Sequence, residues 1–438
     1  MSREAQNRMG IGKKILLLAA CFSLPMAVLA WQVIVNVDEN IAFGQLEIMG
    51  DQYQRPLGAL LHDFQQHQLL VHHCPNNGDC SQALATLRGS VSQNFSELRA
   101  ADLKYGAILQ FTPEGLTRLG RSGNTAGNLQ ADWQAILLAL SEGGGKAPAD
   151  IDSKYDNAIA RVQTMIAHSG DTSNLILDPE LDSYHFITDT LVQYPQTLER
   201  IGRVTAAGRD AIARGIPPQD QSALLVHAAL LEQSDRDPIQ SNLETALKSN
   251  QNKFHDSVPS FQTNLPPAYK DYENSLNKFV ALTRALAAGG HITVDEYTAA
   301  GVQAREAAYR LWLISLPELD NILTLRVDYY SQRKTSAFLL SGFALLLSCL
   351  MAYWVATSVI QPLNKLARTL SPGATLLSGS VVQLSEASSK PVQDPVTTQV
   401  ICEELSAHAG DMRETADELE AVVFGSGSAA FAAKQGGR

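Results

Sequence analysis

Residues 336–360 read SAFLLSGFALLLSCLMAYWVATSVI, and they decide how the rest of the chain is organised. An α-helix needs about 20 apolar residues to cross a hydrocarbon core roughly 30 Å thick. This stretch is longer than that and carries no charge. Only a helix satisfies its own backbone hydrogen bonds in lipid, so the stretch is expected to be a membrane span. Arg333 and Lys334 precede it and Lys365 and Arg368 follow it, with Tyr353 and Trp354 as candidate interface anchors near its far end.

A second apolar run, Ile15 to Val37, follows a basic N-terminus that holds Arg3, Arg8, Lys13 and Lys14. Basic residues stay on the cytoplasmic side, so 1–14 is expected in the cytoplasm and 15–37 as a first span. A cleaved secretory signal ending at Val28-Leu29-Ala30 competes with this reading, but the apolar run continues seven residues beyond that point. Two spans place 38–334 in the periplasm and return the C-terminus to the cytoplasm, as in a multi-pass inner-membrane protein.

Within 38–334 apolar residues recur at three and four positions, and the alternation that strands require is scarce. The expectation is an all-α chain, with two transmembrane helices flanking a large periplasmic helical bundle and a short cytoplasmic helical tail. Thr112-Pro113-Glu114 and Asp178-Pro179-Glu180 each set an N-cap residue before a proline, and Thr293 to Glu296 has capping-box spacing. Breaks are expected at 74–79, 143–148, 170–173, 217–218 and 289–290. Pro195 and Pro317 are expected to kink helices that continue past them. Roughly 300 residues exceed one four-helix bundle, so two stacked modules sharing long helices are expected.

The chain has 438 residues and a formal net charge of −11, which argues against a nucleic-acid partner. There is no Walker A motif, dinucleotide glycine motif, G-x-S-x-G elbow or H-E-x-x-H helix, so no enzymatic activity and no cofactor are expected.

Three segments of the outer region, 173–212 (SNLILDPELDSYHFITDTLVQYPQTLERIGRVTAAGRDAI), 50–70 and 311–326, resemble the sensory domains of bacterial methyl-accepting chemotaxis receptors. Ile360-Gln361-Pro362-Leu363 looks like the Pro-Leu start of the relay (HAMP) module of these receptors, here expected over 361–371. Residues 402–423, CEELSAHAGDMRETADELEAVV, are similar to their C-terminal signalling helix, here a remnant at 397–424 between an irregular linker (372–396) and a flexible tail (425–438). The long coiled-coil hairpin and its kinase-contacting tip have no counterpart. The resemblance implies a homodimeric transducer in chemotaxis that senses a small periplasmic molecule, with its output impaired because the kinase and adaptor lack their contact site. A mixed assembly with intact receptors is a further expectation. A membrane-anchored helical scaffold for a periplasmic protein is the alternative.

Several side chains invite a functional reading. Asp182 and Tyr184 lie beyond the cap at Asp178 and are candidates for ligand or interhelical contacts. Arg200 and Arg203, with Arg209, Arg305 and Arg310, present forks that suit a small carboxylate; exposed helix charges are the plainer account. Cys74 and Cys80 flank a short turn in an oxidising compartment, which suits a disulfide, while free thiols and a metal site with His72 and His73 stay open.

Overall fold

The computed structural model describes residues 11–73, 80–142, 150–252 and 258–355, with scattered positions beyond. All of its regular structure is helical, and no described residue lies in a strand. The chain divides into two compact units, 35–334 and the pair of segments 1–34 and 335–438.

The larger unit is organised on two long helices, α1 (Ile11–His73) and α11 (Val294–Val355). Between them in the chain come α2 (Ser81–Ala101), α3 (Pro113–Arg118), α4 (Ala126–Glu142), α5 (Ile151–Thr172), α6 (Leu181–Thr188), α7 (Tyr194–Ala213), α8 (Pro218–Leu230), α9 (Asp237–Gln251) and α10 (Pro259–Ala287). One continuous apolar core joins them: Leu57, Leu61 and Phe64 of α1, Trp133 of α4, Tyr155 and Val162 of α5, Leu198 and Ile201 of α7, Phe279 of α10 and Trp312 of α11 are all buried in it.

Local chemistry accounts for the helix ends. Thr112 Oγ1 accepts from Gly115 N at 3.1 Å and Thr293 Oγ1 accepts from Glu296 N at 3.2 Å, so both threonines cap as their spacing predicts. Gly289 (φ +83°) closes α10, where Gly290 N donates to Ala285 O at 2.8 Å, the wrap that a left-handed residue makes possible. The 170–173 break falls later than expected. Helix α5 runs to Thr172, and the turn is made by Asn174 (φ +66°), because Gly170 is needed inside the helix, where Leu191 packs against it.

Proline is accommodated by widening the helix. A π turn at Asp189–Gln193 precedes Pro195 in α7, and another at Leu231–Arg236 precedes Pro238 in α9. Proline lacks an N–H, and its ring crowds the carbonyl four residues back; a wider turn relieves both. Helix α11 continues through Pro317.

Close helix approach depends on missing side chains. A Cβ on Gly208 of α7 would lie 2.1 Å from Tyr297, and one on Gly301 of α11 would lie 2.1 Å from Thr205. These two glycines make room for Tyr297 and Thr205, the side chains that fill the contact between α7 and α11.

In the smaller unit the apolar end of α11 carries Phe338, Leu339, Leu340, Phe343, Leu346, Leu350, Met351 and Trp354, all exposed. Among the described residues α11 is the one helix long and apolar enough to cross a membrane, and none of its most apolar stretch is buried. Soluble core helices bury such a face, so this one has the character of a span. The expected relay segment and the signalling remnant lie almost entirely outside the described residues.

Candidate functional site

Helices α1 and α11 are joined by charged contacts at several levels. Nearest the bundle's end, Lys334 Nζ lies 2.6 Å from Asp38 Oδ1. Next, Arg326 of α11 reaches Glu47 of α1 at 3.2 Å and Asp178 at 3.0 Å, and donates to Ser183 Oγ. Then Arg55 of α1 bonds Asp51 at 2.8 Å, the carbonyl of Leu316 at 3.2 Å and the carboxylate of Asp320. Highest is His62, whose Nε2 sits 2.8 Å from Glu306 Oε1 while its ring stacks on Tyr309 with centroids 3.9 Å apart.

Burial and the neighbouring Asp178 push the Glu47 carboxyl up to about 9, with Arg326 opposing them, so Glu47 is protonated at neutral pH. One proton and one guanidinium then balance two buried carboxyls. Burial also raises Asp51, to about 7, against the pull of Arg55. Burial disfavours the charged His62 ring, yet its hydrogen bonds to Asp63 and Glu306 hold its pKa above the ordinary value.

Asp178 differs from its expected role. Helix α6 begins at Leu181 with Glu180 as its N-cap, and Asp178 instead turns the chain by accepting from Glu180 N at 2.8 Å and anchors Arg326. Tertiary charge pairing overrides the local capping signal. Asp182 is fully buried, accepting from Ser183 N at 2.9 Å and from Asn250 Nδ2 at 3.3 Å. Tyr184 is exposed, with its ring edge-on to His185. Neither lines the cavities described below.

The arginines are brought closer to a site. A cleft of about 610 Å³ opens between α1, α5, α7 and α8. Helix α1 supplies Gln65, Gln68 and His72; α5 supplies Asp152, Asp156 and Gln163; α7 supplies Glu199, Arg203 and Arg209; α8 supplies His227. A smaller cavity of about 350 Å³ shares Gln163, Glu199 and Arg203 with it and is also lined by Arg200.

Most charges in this region are already matched. Asp152 accepts from Gln68 at 2.8 Å and lies 2.7 Å from His72 Nε2. Glu199 accepts from Gln163 at 2.5 Å and faces Arg203 at 3.3 Å. Arg209 is held by Asp210 at 3.0 Å, and Arg200 by the buried Asp235 at 2.7 Å. Outside the cleft, Arg310 pairs with Asp271 at 2.7 Å. Arg305 is fully buried with no hydrogen bond to its guanidinium, and its closest carboxylate, Glu306, is 4.0 Å away; burial lowers it to about 10.

Two lining residues stand out from these pairs. Asp156 has no cation within ion-pair distance among the described residues, and burial together with Asp152 and Glu199 raises its carboxyl above the ordinary range. Gln65 is 4% exposed, and neither amide atom has a hydrogen-bond partner. Across the cleft burial lowers the His227 ring, assisted by Arg203 and Arg200, which favours neutral imidazole. Neither Gln65, Asp156 nor His227 is distinguished by sequence pattern, since each sits at an ordinary position of an amphipathic helix.

Cys80 is disulfide-bonded, and Cys74, the partner its spacing suggests, lies outside the described residues. Among the described residues no three His, Cys, Asp or Glu side chains converge for a metal ion. Compared with known proteins, the chain matches no family model, no curated protein and no solved structure.

Proposed function

We propose that the protein is a membrane-anchored sensor in which a small molecule occupying the cleft changes the packing of α1 against α11. The observation that carries this reading is the placement of the cleft: Gln65, Gln68 and His72 belong to α1, the helix joined to α11 by the Arg55, His62 and Arg326 contacts. An occupant that prefers one arrangement of these helices shifts their equilibrium by the difference in its affinity for the two, typically about 1 to 3 kcal/mol. Both helices carry apolar stretches, and Ser23 Oγ lies 3.1 Å from Ser348 Oγ, which supports two spans lying side by side. On this reading the bundle is periplasmic and the protein is a homodimeric inner-membrane transducer of the chemoreceptor type. Its own output is impaired on this reading, because the sequence of 361–438 carries no kinase-contacting tip, and a mixed assembly with intact receptors is the route left for it to act.

The exposed apolar group Ile176, Leu177, Leu181 and Tyr184 favours a second reading, a scaffold that binds a protein partner. The deciding experiment reconstitutes the full-length chain in membranes with a chemotaxis kinase and its adaptor, alone and beside an intact receptor. A changed response of the intact receptor supports the transducer. Kinase activation by the chain alone overturns the missing-tip argument, and silence in both settings overturns the transducer reading.

A further inference from the structure

In the cleft, charge pairing leaves a surplus on one side only. Both guanidiniums of the cleft have a carboxylate partner, Arg203 in Glu199 and Arg209 in Asp210, and so has Arg200 of the adjoining cavity, in Asp235. The carboxylates are not all matched in return. Asp152, Asp156, Glu199 and Asp210 face two arginines in the cleft lining, and Asp156 has no ion-pair partner among the described residues. An anionic occupant would have to displace an existing pair before gaining one, whereas a cation meets an acidic group that is already free.

A second, independent feature points to an occupant. The side chain of Gln65 is almost wholly buried in the cleft wall, and both its Oε1 and its Nε2 are without a partner. A buried amide without hydrogen bonds costs free energy that a ligand group able to give and accept a hydrogen bond would recover. A bare metal ion offers no acceptor to Gln65 Nε2, and no metal-binding cluster forms among the described residues.

We propose that the cleft takes a small organic cation bearing a primary ammonium group, with Asp156, Asp152 and Glu199 around the ammonium and the Gln65 amide on a polar atom of the same molecule. This reverses the carboxylate expected from the arginines, and it rests on the cleft being the sensor's ligand site.

The test uses the full-length protein in detergent micelles and reads thermal unfolding with 4-aminobutanol, which carries one ammonium and one hydroxyl that can give and accept a hydrogen bond, and with butanedioate and butanediol, all at matched ionic strength. 4-Aminobutanol raises the melting temperature and the other two do not. D156N and Q65L each weaken its apparent affinity about tenfold, the usual worth of one charge-assisted or buried hydrogen bond. Asp156 is largely exposed, only partly desolvated, and makes no ion pair among the described residues, so D156N is expected to fold and an unchanged melting temperature without ligand confirms that its loss of response reads binding. Stabilisation by butanedioate that disappears in R203Q overturns the cationic ligand while leaving a ligand-binding sensor intact. A 4-aminobutanol effect unchanged in both D156N and Q65L, or no effect of any probe, overturns the inference. The sensor reading itself is judged separately by the kinase reconstitution.

Discussion

Replacing Glu47 by Gln tests the buried cluster that joins α1 to α11. Glu47 is fully buried between Asp178 and Arg326, with its carboxyl pushed up to about 9 from an ordinary value of 4.5. Between those two values the native protein holds a proton that the unfolded chain has released, so ν_N exceeds ν_U and stability falls as pH rises. One such group contributes a slope of up to about 1.4 kcal/mol per pH unit, or up to about 3 kcal/mol between about pH 6 and pH 8. Asp51, raised to about 7, contributes a slope of the same sign over the lower part of that range. The difference between wild type and E47Q therefore isolates Glu47. Glutamine resembles the protonated acid in shape and hydrogen bonding, so E47Q should cost under about 1 kcal/mol near pH 6 and gain on the wild type as pH rises. The assay is thermal unfolding of the full-length chain in micelles by circular dichroism, where about 1 kcal/mol moves the midpoint by roughly 2 to 4 °C. R326M is the converse perturbation. It strands Asp178 as a buried, unpaired carboxylate and should lower the midpoint by roughly 10 °C, with partial recovery in D178N/R326M. Parallel pH profiles for wild type and E47Q, or an R326M midpoint within about 2 °C of wild type, would refute the reasoning.

The remaining predictions concern packing, caps and the apolar segments. G208A should destabilise by about 1 to 3 kcal/mol through the clash with Tyr297, whereas G202A, with open space at its Cβ, should be neutral or stabilising by up to about 1 kcal/mol in the same unfolding assay. T112A and T293A should each cost about 1 kcal/mol as lost N-caps, measured by chemical denaturation. With Cys21 and Cys349 replaced by serine, S23C/S348C should form an intrachain disulfide on mild oxidation in membranes, seen as faster migration on a non-reducing gel; uncrosslinked protein would count against paired spans.

Much of the architecture is written in local pattern. Apolar residues at helical spacing make the chain all-α, the threonines at 112 and 293 announce where helices start, and Gly289-Gly290 announces where one stops. The uncharged run from Ser336 makes the end of α11 a candidate span, because length and apolarity are properties of the segment alone. Partner choice is different. Arg326 and Glu47 are 279 positions apart, and nothing in either neighbourhood says that they meet. Asp178 carries a capping signature yet anchors an arginine from α11, and Asp182 is absorbed by Asn250. Arg203 reaches the cleft, but whether its charge is available depends on Glu199 one turn back and on Asp156 across the cleft, as set by how α5 and α7 pack. Helix periodicity tells which face of each helix turns inward. Only the packed bundle decides which charge across the interface is matched and which is left over, because pairing energy falls with distances that the chain closes only on folding.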